Sequence, residues 1–240
     1  KVFSDKDKSF FIGDKDPTAN PFVVSLVRFY PHAKVINLIR DARGIITSMI
    51  STKSNLNLIE MACRVKESYS FAFEHNKKIS GKSYYEINYE SLILKPKEEL
   101  IHLCSFLGID FEKDMLNPTL YLPNSDGKKF KKGFDKTMIS VWKKKLSIKQ
   151  IVLIEYIMGK ELSQRGYKCL TQKSKKYINF KTRLAIFLYS KFYYFERRLI
   201  LISSNLGLGS LLAKLPNAIH KKIKDKNVLE YFIDTDFINC

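Results

Sequence analysis

The sequence predicts an α/β fold built on a parallel sheet, with an all-helical segment after it. Three observations lead there. A helix–strand–helix rhythm occupies residues 17–52, and a second strand-like run, Ser83–Tyr89, follows a long helical stretch. Near Thr171 the strand-like runs cease and basic, aromatic helical periodicity takes over.

Over Pro17–Tyr30, Phe22, Leu26 and Phe29 stand beside Val23, Val27 and Tyr30 at the three-to-four spacing of an apolar helix face. Asp16 is placed to cap this helix with Pro17 in its first turn, and Pro31 stops it. The β-branched run Ala33–Ile39 reads as a buried strand ending at Arg40, with a new helix from Ala42 to Thr52. Leu58–Lys78 reads as a longer helix. Pro96 suits the first turn of a helix over Lys97–Leu107, which Gly108 closes. Asn117–Asp135, rich in Lys with Pro and Gly, reads as a polar loop. Ser147 and Gln150 form a capping box for a helix ending near Arg165, closed by Gly166. Helical periodicity returns over Arg183–Leu201, Asn205–Ser210 breaks it, and a last amphipathic stretch runs to about Phe232.

A chain of 240 residues, 45% of them hydrophobic, can bury one core and carry an appended segment. Its 28% of charged residues fits neither a disordered nor a membrane class. Apolar runs such as Ile151–Ile154 and Leu199–Ile202 fall far short of the roughly 20 residues that span a bilayer. The opening KVFSDKDKSFF has no apolar signal core, so a cytoplasmic setting is expected. Four cysteines without a CxxC pair suit a reducing compartment and no zinc site; Cys63 and Cys104 fit buried helix positions. The formal net charge of +18 implies anionic partners: a nucleotide, a glycan, nucleic acid or an acidic membrane face. Charge alone does not choose among them.

Three local patterns can carry chemistry. The first is a strand ending in Arg40-Asp41-Ala42-Arg43 at a helix start, with Ser48 two turns further on. Ligands of open α/β sheets bind at the C-terminal ends of strands beside helix N-termini, where an arginine meets phosphate bidentately. The competing reading is an Arg–Asp pair on a strand–helix corner, with Ser48 merely solvated. In the second, Lys15 between Asp14 and Asp16 is either a surface ion-pair residue or a cation aimed at a transferring anionic group. The third is the run Lys128–Gly133 followed by Trp142-Lys143-Lys144-Lys145. It is either a solvated basic loop or a clamp closing on a nucleotide phosphate.

Taken in order, GDKDP, INLIRDARGIITSM, YYEINYESLILKPKEELIHLCSFLGI, KKGFD with VWKKKLS, and SQRGY resemble sulfotransferases that use 3′-phosphoadenosine 5′-phosphosulfate (PAPS). The likeness covers residues 13–167 and runs most strongly to the tyrosylprotein and related bacterial branch. It implies a P-loop-NTPase-like parallel sheet with flanking helices over residues 1–170, while residues 171–240 read from their own periodicity as an all-helical appendage. By that resemblance Arg40 and Ser48 hold the donor's 3′-phosphate, and Tyr89 lies near the adenosine. Lys131 and Lys132, beside a flexible Gly133, close on the phosphate, while Lys15 is catalytic at the sulfuryl group. The implied reaction moves a sulfuryl group to an acceptor hydroxyl of a protein tyrosine or a glycan; a lipid-linked acceptor also stays open. No metal is implied, and the four histidines show no ligand spacing.

Family members open with a strand and a Gly-, Ser- and Thr-rich loop that binds the 5′-phosphosulfate. Nothing before Gly13 matches these, so an N-terminally truncated, inactive fragment is expected. The alternatives are a non-catalytic nucleotide-phosphate-binding remnant and a basic RNA- or membrane-surface-binding module. RNA is the less favoured partner, since neither an RRM-like aromatic strand motif nor a GXXG loop in the right setting is present. Residues 171–240, with 13 Lys or Arg against 5 Asp or Glu, either rest on an anionic membrane or pack on the core or on a second copy. Packing is the favoured expectation, because apolar residues nearly encircle Ile186–Ile202.

Overall fold

The computed structural model describes residues 13–16, 19–52, 56–122, 129–170 and 178–205, and of 119–122, 129–132, 196 and 200–205 the backbone alone. Strands β1 (Val35–Ile39) and β2 (Tyr84–Asn88) pair in parallel, with Val35 opposite Tyr84 and Ile39 opposite Asn88. Parallel neighbours need a crossover. Here it contains α2 (Ala42–Ser51) and α3 (Leu58–Lys78), the latter capped by Asn57, which accepts the Glu60 N–H at 2.9 Å.

The β-branched run does form a strand, but it is not buried throughout. Side chains alternate across the pleat; Ile39 is buried, whereas Ile36 and Leu38 on the other face are 43% and 51% exposed. The first helix also starts later than expected. A 3₁₀ turn at Asn20–Phe22 comes first, with Ala19 at its N-cap, and leads into α1 (Val23–Phe29). Pro21 takes the first-turn position that tolerates a missing N–H; Pro17 lies outside the described residues.

Asn88 caps α4 (Tyr89–Leu94), so β2 runs straight into a helix. Pro96 opens α5 (Pro96–Leu107), which Gly108 ends. The expected polar loop contains a hairpin instead: β3 (Thr119–Leu122) is antiparallel to β4 (Lys129–Lys132), with Thr119 opposite Lys132. Cross-strand pairing makes these strands, and two four-residue segments this short carry little periodicity of their own.

After α6 (Val141–Lys145), the Ser147–Gln150 capping box forms as expected and opens α7 (Ile148–Gln164). Last among the described residues comes α8 (Phe180–Asn205), where Asn179 accepts the Thr182 N–H at 2.8 Å. The core joins Ile46 of α2, Ile59 and Ala62 of α3, and Leu153, Ile154 and Met158 of α7. α8 adds Ile186, Tyr189 and Tyr193 to the same core, and the hydroxyls of the two tyrosines donate to Glu60 and Glu67 of α3. The helix beyond Thr171 therefore packs on the α/β unit. The expected break after Asn205 and the stretch beyond it lie outside the described residues.

Candidate functional site at the carboxyl end of the sheet

The register of the sheet creates the site. Ile39 and Asn88 are partners at the last rung, so Arg40 and Tyr89 leave the sheet side by side. Neighbouring strands lie about 4.8 Å apart, and the Arg40 guanidinium sits 4.2 Å from the centre of the Tyr89 ring. A flat cation over an aromatic face is favourable and fixes the plane of the fork. The Arg40 Nη2 donates to the Met138 carbonyl at 2.8 Å. Its Nε is buried with no hydrogen-bond partner among the described residues. A buried donor left unmade is costly.

Gly44 gives Arg40 its room. A Cβ at Gly44 would stand 3.0 Å from Arg40 Nε, so a larger residue there would press the guanidinium aside by a few tenths of an ångström. Ser48 is one turn further on the same helix face and is exposed. Beyond it Ser51 accepts from Lys145 Nζ at 3.3 Å, which brings the lysine-rich α6 alongside.

The adjoining Asp41 does not pair with Arg40. Its carboxylate caps α2, accepting the Arg43 N–H at 2.9 Å, and meets Arg43 Nη2 at 2.7 Å. Arg43 Nη1 reaches Glu155 of α7 at 2.7 Å, and its guanidinium lies 4.0 Å from the centre of the Trp142 ring. All three charged side chains are buried. Burial works against the charged guanidinium, but the hydrogen bonds and charges of Asp41 and Glu155 outweigh it and raise its pKa above the ordinary value. The corner reading of the Arg-Asp motif thus holds for Asp41 and Arg43, and Arg40 stays available. Trp142 is buried against Arg43.

A hydrogen-bond frame holds the Arg40 backbone. Glu90 accepts the Asp41 N–H at 3.0 Å and the Tyr167 hydroxyl at 2.8 Å, joining the ends of both strands to the segment after α7. The Tyr69 hydroxyl donates to the Arg40 carbonyl. Burial, then the charges of Asp41 and Glu90, push the Tyr69 pKa up; burial and Glu90 do the same for Tyr167. Both hydroxyls therefore stay protonated donors. With Asp41 and Glu90 satisfied inside the fold, neither acid cancels Arg40.

The basic hairpin reaches the site through the turn that succeeds it. Gly133 donates its N–H to the Pro118 carbonyl and takes φ 75, a left-handed conformation that ends β4 and turns the chain. The next 3₁₀ turn, Lys136–Ile139, capped by Asp135, presents the Met138 carbonyl to Arg40. Lys131 and Lys132 pair with Leu120 and Thr119 at the end of β4, and their side chains lie outside the described residues. Lys15 is exposed in the segment 13–16 ahead of α1.

Residues 2–113 match the family model described as the sulfotransferase family, a span holding Lys15, Arg40, Ser48 and Tyr89. A putative protein-tyrosine sulfotransferase of Caenorhabditis elegans is 30% identical over 112 residues, 43% of this chain and 42% of that protein. Protein-tyrosine sulfotransferase 1 of Danio rerio is 27% identical over 112 residues, 45% of this chain and 32% of its own. The chain thus spans less than half the length of these curated relatives. Among solved structures, the sulfotransferase domain from the curacin biosynthetic pathway superposes with a TM-score of 0.51 at 18% identity, covering 65% of this chain and 62% of that one. The sulfotransferase domain of the Synechococcus PCC 7002 olefin synthase gives 0.52 at 19%, covering 65% and 58%. The sheet, its crossover and the helices around it share the fold of these sulfotransferase domains, and residues 2–113 are similar in sequence to the sulfotransferase family.

Proposed function

We propose that this protein is a PAPS-using sulfotransferase that grips its donor by the 3′-phosphate, with a protein tyrosine or glycan hydroxyl as acceptor. The observation that carries the reading is Arg40: fixed over Tyr89 at the carboxyl end of the parallel sheet, its buried Nε has no partner and no carboxylate competes for it among the described residues. A phosphate there accepts from the guanidinium edge and, along the same face of α2, from the Ser48 hydroxyl. The exposed Lys136, Lys143, Lys144 and Lys145 add a cationic border.

Bound PAPS supplies the sulfuryl group that is transferred. The chain's own residues hold and orient the nucleotide, and Lys15 offsets negative charge as it develops on the transferring group. Lys131 and Lys132 approach from the hairpin, with Gly133 as its turning point. The protein-tyrosine acceptor rests on the names of the relatives.

Calorimetric titration of the full chain with 3′-phosphoadenosine 5′-phosphate tests this, with saturable one-to-one binding expected. Absence of binding at millimolar nucleotide would overturn the reading. Gly44→Ala supplies a sharper check. Alanine favours a helix interior over glycine by about 1 kcal/mol, so the melting temperature should hold or rise. Affinity should fall about tenfold, because the added methyl pushes the Arg40 fork off its plane.

A further inference from the structure

We propose that the outward face of α8 is a peripheral membrane-binding surface that rests on an anionic phospholipid bilayer. One side of α8 is spent on the core, through Thr182, Ile186, Tyr189 and Tyr193. On the opposite side Phe180, Leu184, Phe187, Leu188, Phe195 and Leu199 recur at helical spacing and stay exposed. Phe180 is 70% exposed, Phe195 61%, Leu188 58% and Phe187 56%, so this is a continuous apolar stripe open to solvent. Stripes of this kind mark interaction surfaces.

Charge selects the occupant. Lys181, Arg183, Lys191 and Arg198 are exposed along the same stripe, and the Lys191 ammonium lies 5.6 Å from the centre of the Phe187 ring. Long basic side chains can lay their stems on apolar surface and keep their charged ends at a phosphate layer. An anionic bilayer satisfies both halves of this face at once. A second copy of the helix would instead press like charges together at a water-poor interface. Beside the stripe, a cavity of about 300 Å³ between α3, α7 and α8 is lined by Ile157, Ile186, Phe187 and Tyr194, with Arg183 and Lys66 as its cations. It offers a recess for a lipid headgroup at the edge of the contact. Among the described residues no helix is long and apolar enough to cross a membrane, so the contact is one of lying on the surface.

Co-sedimentation of the full chain with phosphatidylcholine vesicles, with and without phosphatidylglycerol, tests the proposal. Binding to the anionic vesicles alone is expected. The pair Phe187→Ser and Phe195→Ser keeps the net charge and should weaken that binding roughly tenfold, and Lys191→Glu with Arg198→Glu should abolish it. All four side chains are exposed, so unchanged melting curves serve as the fold control. If the serine pair binds as tightly as the parent, the +18 charge alone drives the attraction and the proposal fails. It fails equally if the parent does not sediment with vesicles, or if the serine pair dissociates a dimer seen by sedimentation velocity without lipid. None of these outcomes depends on nucleotide binding, so this proposal and the sulfotransferase reading fall separately.

Discussion

Replacing Arg43 with methionine is expected to cost about 3–5 kcal/mol of stability, because removing one member of a buried charge group strands the others. For a chain of this size that is a fall in Tm of roughly 6–20 °C. The cation links Asp41, itself the cap of α2, to Glu155 in the middle of α7, and stacks on Trp142 of α6. Methionine keeps the length of the side chain and some contact with the indole, but leaves two buried carboxylates without their cation. A second change, Glu155→Met, should recover part of the loss, since an apolar pair is better tolerated than half an ion pair. Thermal unfolding of the three proteins measures this. A single variant within about 1 kcal/mol of the parent would show that the buried triad does not hold the corner.

Arg40→Ala should behave in the opposite way, with stability kept and binding lost. Arg40 is half-buried, and its hydrogen bond within the fold goes to one backbone carbonyl. The melting temperature should therefore move by no more than a few degrees. Affinity for 3′-phosphoadenosine 5′-phosphate should fall about 100-fold. That corresponds to one or two hydrogen bonds to a charged group at about 1.5–3 kcal/mol each, with about 1.4 kcal/mol per factor of ten. Arg40→Lys keeps the charge but not the planar fork, and should recover only part of the binding. Two arginines three positions apart in one motif thus separate cleanly, one structural and one for the ligand. Calorimetry and thermal melts on the same samples distinguish them.

Much of this architecture was readable along the chain because its signals are local. The bounds Leu58–Lys78 of α3 come from periodicity alone, and the Ser147–Gln150 box marks the start of α7 by a three-residue spacing. Arg40 and Tyr89 each stand out from their motifs. Their stacking does not, because it depends on Ile39 falling opposite Asn88, and strand register is a property of the sheet. The partnership of Arg43 with Glu155 spans 112 positions, and nothing near Glu155 distinguishes it from any other acid on a helix. The same distance effect hid the role of Met138, whose carbonyl meets Arg40 across 98 positions and whose side chain has no part in it. The hairpin escaped notice because Lys129–Lys132 reads as a solvated charge run until Thr119–Leu122 is set beside it. Gly44, inside a helix, looks like a mild fault in propensity; its purpose appears only once Arg40 is laid across it.

The most direct test of the central claim, that Arg40 reads a 3′-phosphate, is paired calorimetry with two nucleotides that differ only in that group. The parent chain and Arg40→Ala are each titrated with 3′-phosphoadenosine 5′-phosphate and with adenosine 5′-monophosphate. The account predicts that the parent prefers the bisphosphate by about tenfold or more and that the variant shows no preference, since one charge-assisted phosphate contact contributes roughly that factor. Equal affinities in the parent, or a preference that survives in Arg40→Ala, would contradict it.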